Sequence, residues 1–422
     1  MSFRGMAFRT LAFGFDSAPA VRSPQTSVAR PWVRRAVLLS VWVTAGLNAL
    51  LPDLMASTGR RGTEFIAIAL APLFLAAASM GWRAWSAPVL RPTALIAGML
   101  AASLAVGEHA SDGAVKVFVT LSGLAWGALL LGDRENVRRV ARWGAAACVT
   151  LGGLSLAGVR GVPQPSHLLA LAVLYARLLL AEDDPRARAR PLDVLTDVAL
   201  LALIFLSTFR AATLAAVGAL ALAARAQATA RWVLLAGALA AVPAFLAAPT
   251  PEPSYSAAVA RDDWAARYGG MSEDRLSGRA DIWTNVWNDL SDGPAWLLTG
   301  RGAGDVDLYV ARVSPELPSR RVGDERALHT HNTFLELLIA TGVLSLIPMA
   351  WLLAMAAARA RWRGAQVGVT LGTLIVSASN VPLMDWTGGT LLMAVWLWSL
   401  ARPEERAEGI DRGPSFAHRP AP

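Results

Sequence analysis

Apolar runs separated by short arginine-bearing turns recur along almost the whole chain, and this alternation restricts the fold more than any single motif. A helix of about 20 apolar residues crosses a hydrocarbon layer of ~30 Å. With 55% hydrophobic and 17% charged residues and a mean hydropathy of +0.43, the 422-residue chain carries more apolar surface than a soluble domain of that length can hide. The predicted fold is all-α. It is a polytopic transmembrane helical bundle of about twelve spans, with one long extracytoplasmic loop holding short amphipathic helices.

The expected spans are 36–52, 65–82, 93–107, 117–132, 144–159, 167–181, 194–208, 211–224, 232–248, 334–353, 365–381 and 387–400. A basic cytoplasmic tail (1–35) precedes transmembrane helices 1–9 (36–248), an extracytoplasmic catalytic loop (249–333), helices 10–12 (334–400) and a second cytoplasmic tail (401–422). The positive-inside rule sets the orientation. Arg83, Arg91, Arg134, Arg138, Arg139, Arg142, Arg186, Arg188, Arg190, Arg359, Arg361 and Arg363 fall in turns of one parity. Among the short loops, the opposite turns hold only Arg60, Arg61, Lys116, Arg160 and Arg210. Both termini are therefore expected in the cytoplasm and the long loop outside. Residues 194–224 would make one helix of about 46 Å at 1.5 Å per residue and would invert every later turn, so a break is expected at Thr208-Phe209-Arg210. Arg177 and Asp197 lie near cytoplasmic helix ends and read as structural, free to snorkel.

The formal charge of +8 sits mainly in the turns, without a basic surface interleaved with aromatics, which argues against a nucleic-acid partner. Cys148 is the sole cysteine and lies in an apolar run, so neither a disulfide framework nor a thiolate metal site is expected.

Within the long loop, Arg279 to Leu290 places Ile282, Trp283, Val286, Trp287 and Leu290 on one helical face. Such a stripe suits a helix lying at the lipid surface or one that caps the bundle. In the first case Arg279, which opens it, would face a lipid-linked anion. The segment Gly300-Arg301-Gly302-Ala303-Gly304 lacks a preceding strand and reads as a compact bend rather than a dinucleotide fingerprint. Asp305 and Asp307 resemble carboxylates that hold a divalent cation, or read as solvated surface.

At the end of the loop stands His329-Thr330-His331-Asn332-Thr333-Phe334-Leu335-Glu336. Thr333 and Glu336 have the spacing of a capping box ahead of an apolar run interrupted only by Pro348. His331 and Asn332 therefore precede the first turn of a helix, where free backbone amides favour an anion. Glu336 reads as a cap rather than an acid.

Three elements occur in order: Ser207-Thr208-Phe209-Arg210-Ala211 before a small-residue helix, Arg279 to Trp283 before a Gly-x-Gly turn, and His331-Asn332 before a hydrophobic helix. Their order resembles the O-antigen ligase and O-antigen polymerase superfamily of bacterial inner-membrane glycosyltransferases. The resemblance implies a metal-independent, inverting transfer of a glycan from an undecaprenyl-diphosphate carrier to a hydroxyl of a glycan, lipid A-core or other acceptor on the periplasmic face, without a cofactor. It implies that His331 matches the essential loop histidine, Arg210 the arginine of a Ser-x-Arg-like segment, and Arg279 the loop arginine ahead of a tryptophan. Here two residues separate Ser207 from Arg210, a departure from that spacing. His329, Asn332, Arg275, Trp283 and Arg301 are the expected substrate-binding residues, with no metal ligand.

The chemistry asks for the same residue types. An attacking hydroxyl must lose a proton, which an imidazole ordinarily titrating near ~6.5 accepts at neutral pH. The departing diphosphate gathers charge that guanidiniums bind bidentately. Polymerase, ligase and protein O-glycosylation readings share this site. A transporter of lipid-linked saccharide is the alternative from another class, and it asks for ionisable groups at mid-membrane depth and broken helices in two related halves.

Overall fold

The computed structural model describes residues 31–58, 62–80, 82–158, 166–183, 191–206, 210–224, 279–291, 295–315, 317, 320–322, 325–327, 330–359, 364–385 and 388–401. It is a helical bundle. The helices are α1 (Pro31–Thr58), α2 (Gly62–Ala78), α3 (Trp82–Trp85), α4 (Arg91–Ser103), α5 (Ala110–Gly132), α6 (Arg134–Leu156), α7 (His167–Asp183), α8 (Pro191–Leu206) and α9 (Arg210–Ala224). After the loop's first part come α10 (Arg279–Ser291), α11 (Val306–Val313), α12 (Thr333–Thr341), α13 (Leu346–Arg359), α14 (Gly364–Ser379) and α15 (Gly389–Leu400).

Each expected span except 232–248 is represented by a helix; residues 225–278, 1–30 and 402–422 lie outside the described residues, and residues 31–35, expected as tail, form the start of α1 instead. Among the described residues, Ala110–Gly132 and the run Thr333–Arg359 are long and apolar enough to cross a membrane. The two helices that start furthest ahead of their expected spans are α5 and α6. The α5 helix begins at Ala110, so Lys116 lies inside it rather than in a loop, and α6 begins at Arg134, capped by Asp133, whose carboxylate accepts from Glu135 N at 2.9 Å. One departure from an all-α chain is a short antiparallel hairpin pairing β1 (Arg320–Val322) with β2 (Glu325–Ala327). Strands of three residues are too short to show alternation, although the Gly323-Asp324 link is a turn signal.

Close helix contacts fix which ends lie together. Small residues let α9 and α14 approach: Gly368 stands against Ala219, and Gly372 against Ala215 and the Tyr175 hydroxyl. As one index rises the other falls, so the pair is antiparallel. The start of α14 meets the end of α7, where Ala365 N donates to Glu182 Oε2 at 3.1 Å. There too Arg177 pairs with Asp197 at 2.5 Å and with Asp193 at 3.2 Å, holding the start of α8 as expected of a structural pair. Hence α8 runs toward the opposite end of the bundle and α9 returns from it, with residues 207–209 outside the described set. The expected break in 194–224 is present. Arg210 opens α9 at the end where α14 finishes.

The carbonyl of Asn380, just past α14, accepts from Thr333 N at 3.1 Å and Thr333 Oγ1 at 3.0 Å. The start of α12 is thereby held at that same end, which we call the loop end. The start of α5 lies there as well, because Gly107 and Gly113 pack against Gly302 and Gly304. At the other end of α5, Gly132 meets Met80 and Ala84, so Arg83 and Arg134 gather away from the loop.

Candidate active site

His331 is the sole non-glycine residue with positive φ among the described residues, at φ 50°. Left-handed backbone costs an L side chain about 1–3 kcal/mol and persists where neighbours over-determine it. Both neighbours are fixed. Thr330 is fully buried and its hydroxyl donates to Glu336 Oε2 at 2.7 Å, while its carbonyl accepts from Trp283 Nε1 at 2.9 Å. Asn332 is extended and caps α12, its Oδ1 accepting from Phe334 N at 3.0 Å and Leu335 N at 3.1 Å. The half-buried imidazole of His331 is thus presented from a pinned turn.

The cap corrects the sequence reading. Asn332, not Thr333, is the N-cap, so the Thr333 and Glu336 capping box does not form. Glu336 is 1% exposed, and its carboxylate is bonded by the ammonium of Lys116, which also reaches Asp307 at 3.3 Å. Burying charge is tolerable only when it is paired and hydrogen-bonded. Lys116, Asp307, Glu336 and Thr330 form such a group, joining α5, α11 and α12 directly beneath His331. Lys116 is the chain's only lysine. A compact ammonium on a long stem fits between two carboxylates where a planar guanidinium would demand more room.

Arg279 opens α10, one turn before Trp283, and the two share a helix face. Burial pushes the Arg279 guanidinium below its ordinary value, and the group lies close enough to His167 at the start of α7 for their charges to interact. On the face predicted as one stripe, Ile282 and Val286 are buried and Trp283 and Leu290 pack against the core, but Trp287 is 68% exposed. The helix therefore packs on the bundle through Ile282, Trp283, Val286 and Leu290 and turns Trp287 outward. Its polar side reaches α11: Tyr309 donates to Asp289 at 2.5 Å and Asn285 to Ser314 at 3.2 Å. Burial, reinforced by that bond, pushes the Tyr309 phenol up, so it remains a donor.

The glycine segment is the compact bend expected. Gly300 and Gly302 have φ of 78° and 95°, and backbone donors of the bend reach α12: Arg301 N to Ile339 O at 2.8 Å and Gly302 N to Ala340 O at 3.1 Å. A Cβ on Gly302 would overlap Gly107, so glycine is required for both conformation and approach. The side chain of Arg301 lies over Trp296 at 5.0 Å and Tyr309 at 4.5 Å, toward the opposite end of α12 from His331. Asp305 and Asp307 serve different partners. Asp305 accepts from Glu108 N at 2.7 Å and His109 N at 3.2 Å, with His109 Nδ1 at 2.5 Å, whereas Asp307 faces Lys116. Neither is solvated surface.

The structure therefore sets Trp283 against the turn that carries His331 and Asn332, with Arg279 one helical turn away from Trp283 and the backbone of Arg210 at the same end of the bundle. Arg301 is set apart, and His329 and Arg275 lie outside the described residues. Missing from the sequence reading were Lys116, His109 and His167. A lone lysine in an arginine-only chain was the available signal for the first.

Residues 195–350 match the model of the family described as O-antigen ligase. A comparison with curated proteins finds no match. The O-antigen ligase segment takes in α9, α10, α11 and α12, and so contains every residue named from the resemblance. Lys116 and His167 come from α5 and α7, outside that segment, and reach into it: Lys116 bonds Glu336, and His167 lies within charge-interaction range of Arg279. This family is integral to the membrane and works on lipid-linked glycans and their acceptors.

Proposed function

We propose that the chain transfers a glycan from an undecaprenyl-diphosphate carrier to an acceptor hydroxyl on the periplasmic face of the bacterial inner membrane, with inversion and without a metal. The pinned, left-handed His331 carries this reading, because it stands beside Trp283 and Arg279 in an O-antigen ligase segment. His331 takes the acceptor proton as the hydroxyl oxygen bonds to the anomeric carbon. The bond from that carbon to the diphosphate breaks, and the polyprenyl diphosphate leaves. Guanidiniums of Arg279 and Arg210 hold the charge it gains, with donors fixed before the reaction begins. Asn332 orients the turn, while His329 and Arg275 complete the substrate-binding set. The bundle crosses the membrane in about twelve spans, with both termini cytoplasmic and residues 249–333 outside as the catalytic loop.

Purified protein in lipid, given a defined polyprenyl-diphosphate glycan and EDTA, is expected to glycosylate one of a panel of acceptors: lipid A-core, free glycan or a hydroxylated peptide. In cells, His331→Ala should lose transfer while lipid-linked donor accumulates on the outer leaflet. Donor trapped inside would instead identify a transporter, and activity dependent on added divalent metal would remove the arginines from the role given them.

A further inference from the structure

A second polar chamber lies at the loop end, apart from His331. It has a volume of about 620 Å³, within the roughly 300–1,000 Å³ of small-molecule sites. Glu108, Trp296, Thr299, Arg301, Tyr309 and Arg312 are among its lining residues. Its charges are unevenly matched. Asp305 is satisfied by two backbone amides and His109, and Glu108 is exposed at the rim. Arg301 and Arg312 have no carboxylate partner among the described residues. Arg301 Nε and Trp296 Nε1 are buried donors without a hydrogen-bond acceptor among the described residues.

A cation left unpaired in a partly dry setting is costly, and an anion entering the chamber would offset that cost. The guanidinium is also held in place. Trp296 and Tyr309 rings stand 5.2 Å apart at 67°, Arg301 lies over both, and Asp289 anchors the Tyr309 hydroxyl. A cation immobilised on aromatic faces is ready to bind without further ordering. Glu108 and the Thr299 hydroxyl add partners for neutral hydroxyls.

We propose that this chamber binds an anionic saccharide, its phosphate or carboxylate on Arg301 and Arg312 and its hydroxyls on Glu108 and Thr299. In the glycan-transfer reading on which this role rests, the chamber grips a charged sugar of the acceptor while His331 acts at a distance. Titration calorimetry of the purified protein at low salt, with glucose 6-phosphate, glucuronate, inorganic phosphate and glucose, tests it. One of the two charged sugars should bind at least about tenfold more tightly than glucose and than phosphate, and which one does so identifies the anion. Arg301→Gln should weaken that binding by about 10- to 100-fold, the size of a lost charge-assisted hydrogen bond. Arg312→Gln, on an exposed side chain that leaves the stack intact, should weaken it about threefold or more. His331→Asn should leave it within twofold while lowering transfer by about 10²–10⁴-fold, so failure of the chamber and failure of the catalytic reading are told apart. No saturable binding, equal binding of glucose, equal binding of phosphate, binding indifferent to both arginines, or binding lost in His331→Asn would each overturn the proposal.

Discussion

Lys116→Met is expected to destabilise the protein by about 3–5 kcal/mol, the cost of removing one partner from a buried ion pair. The side chains involved are 15% exposed for Lys116, 12% for Asp307 and 1% for Glu336, so solvent screens them little. The substitution strands two carboxylates facing each other across α11 and α12 and removes the ammonium that fixes Glu336 against Thr330. A lowered midpoint of thermal unfolding in detergent checks this. Neutralising the stranded groups as well, in Lys116→Met with Glu336→Gln and Asp307→Asn, should recover a substantial part of the loss. An unshifted midpoint for Lys116→Met would mean that the triad contributes nothing.

His331→Asn is expected to lower kcat by about 10²–10⁴-fold with little change in stability, the range associated with loss of a general base. Asparagine is the informative choice because it tolerates left-handed backbone better than other non-glycine residues, so the turn at φ 50° survives while the proton acceptor is removed. A structural histidine would give the opposite pattern, with retained kcat in the folded protein. His331→Ala adds backbone strain to the chemical lesion and should be the less stable of the two.

Much of the bundle is legible in the amino-acid sequence because a membrane demands long apolar helices and arginine marks the turns between them. Charge parity even places the break before Arg210, where neither glycine nor proline signals one. Hydropathy reports apolarity rather than helicity, however. Lys116 and the arginines from Arg134 to Arg142 read as loop, whereas they occupy helical turns, and Lys116 is paired with carboxylates there. Those partners are remote: Lys116 meets Asp307 and Glu336 across 191 and 220 residues. A local rule assigned Glu336 to a capping box, and a long-range charge claimed it instead. Periodicity identifies the helical face that carries Trp287 but not how much of that face a neighbour covers. The position of His331 and Asn332 just ahead of a helix was legible because the apolar run of that helix follows them in sequence, but which residue caps it was not.

The central claim is that His331 and Arg279 act on the same displacement at the anomeric carbon, one accepting the acceptor's proton and the other holding the leaving diphosphate. It is tested most directly by the turnover rates of His331→Asn, Arg279→Gln and the double variant with a single polyprenyl-diphosphate donor. Loss of one fixed donor is expected to cost about 10²–10³-fold. Groups working as a unit are strongly non-additive, so the double variant should fall within about tenfold of the slower single variant. Losses that multiply in full would contradict a shared site.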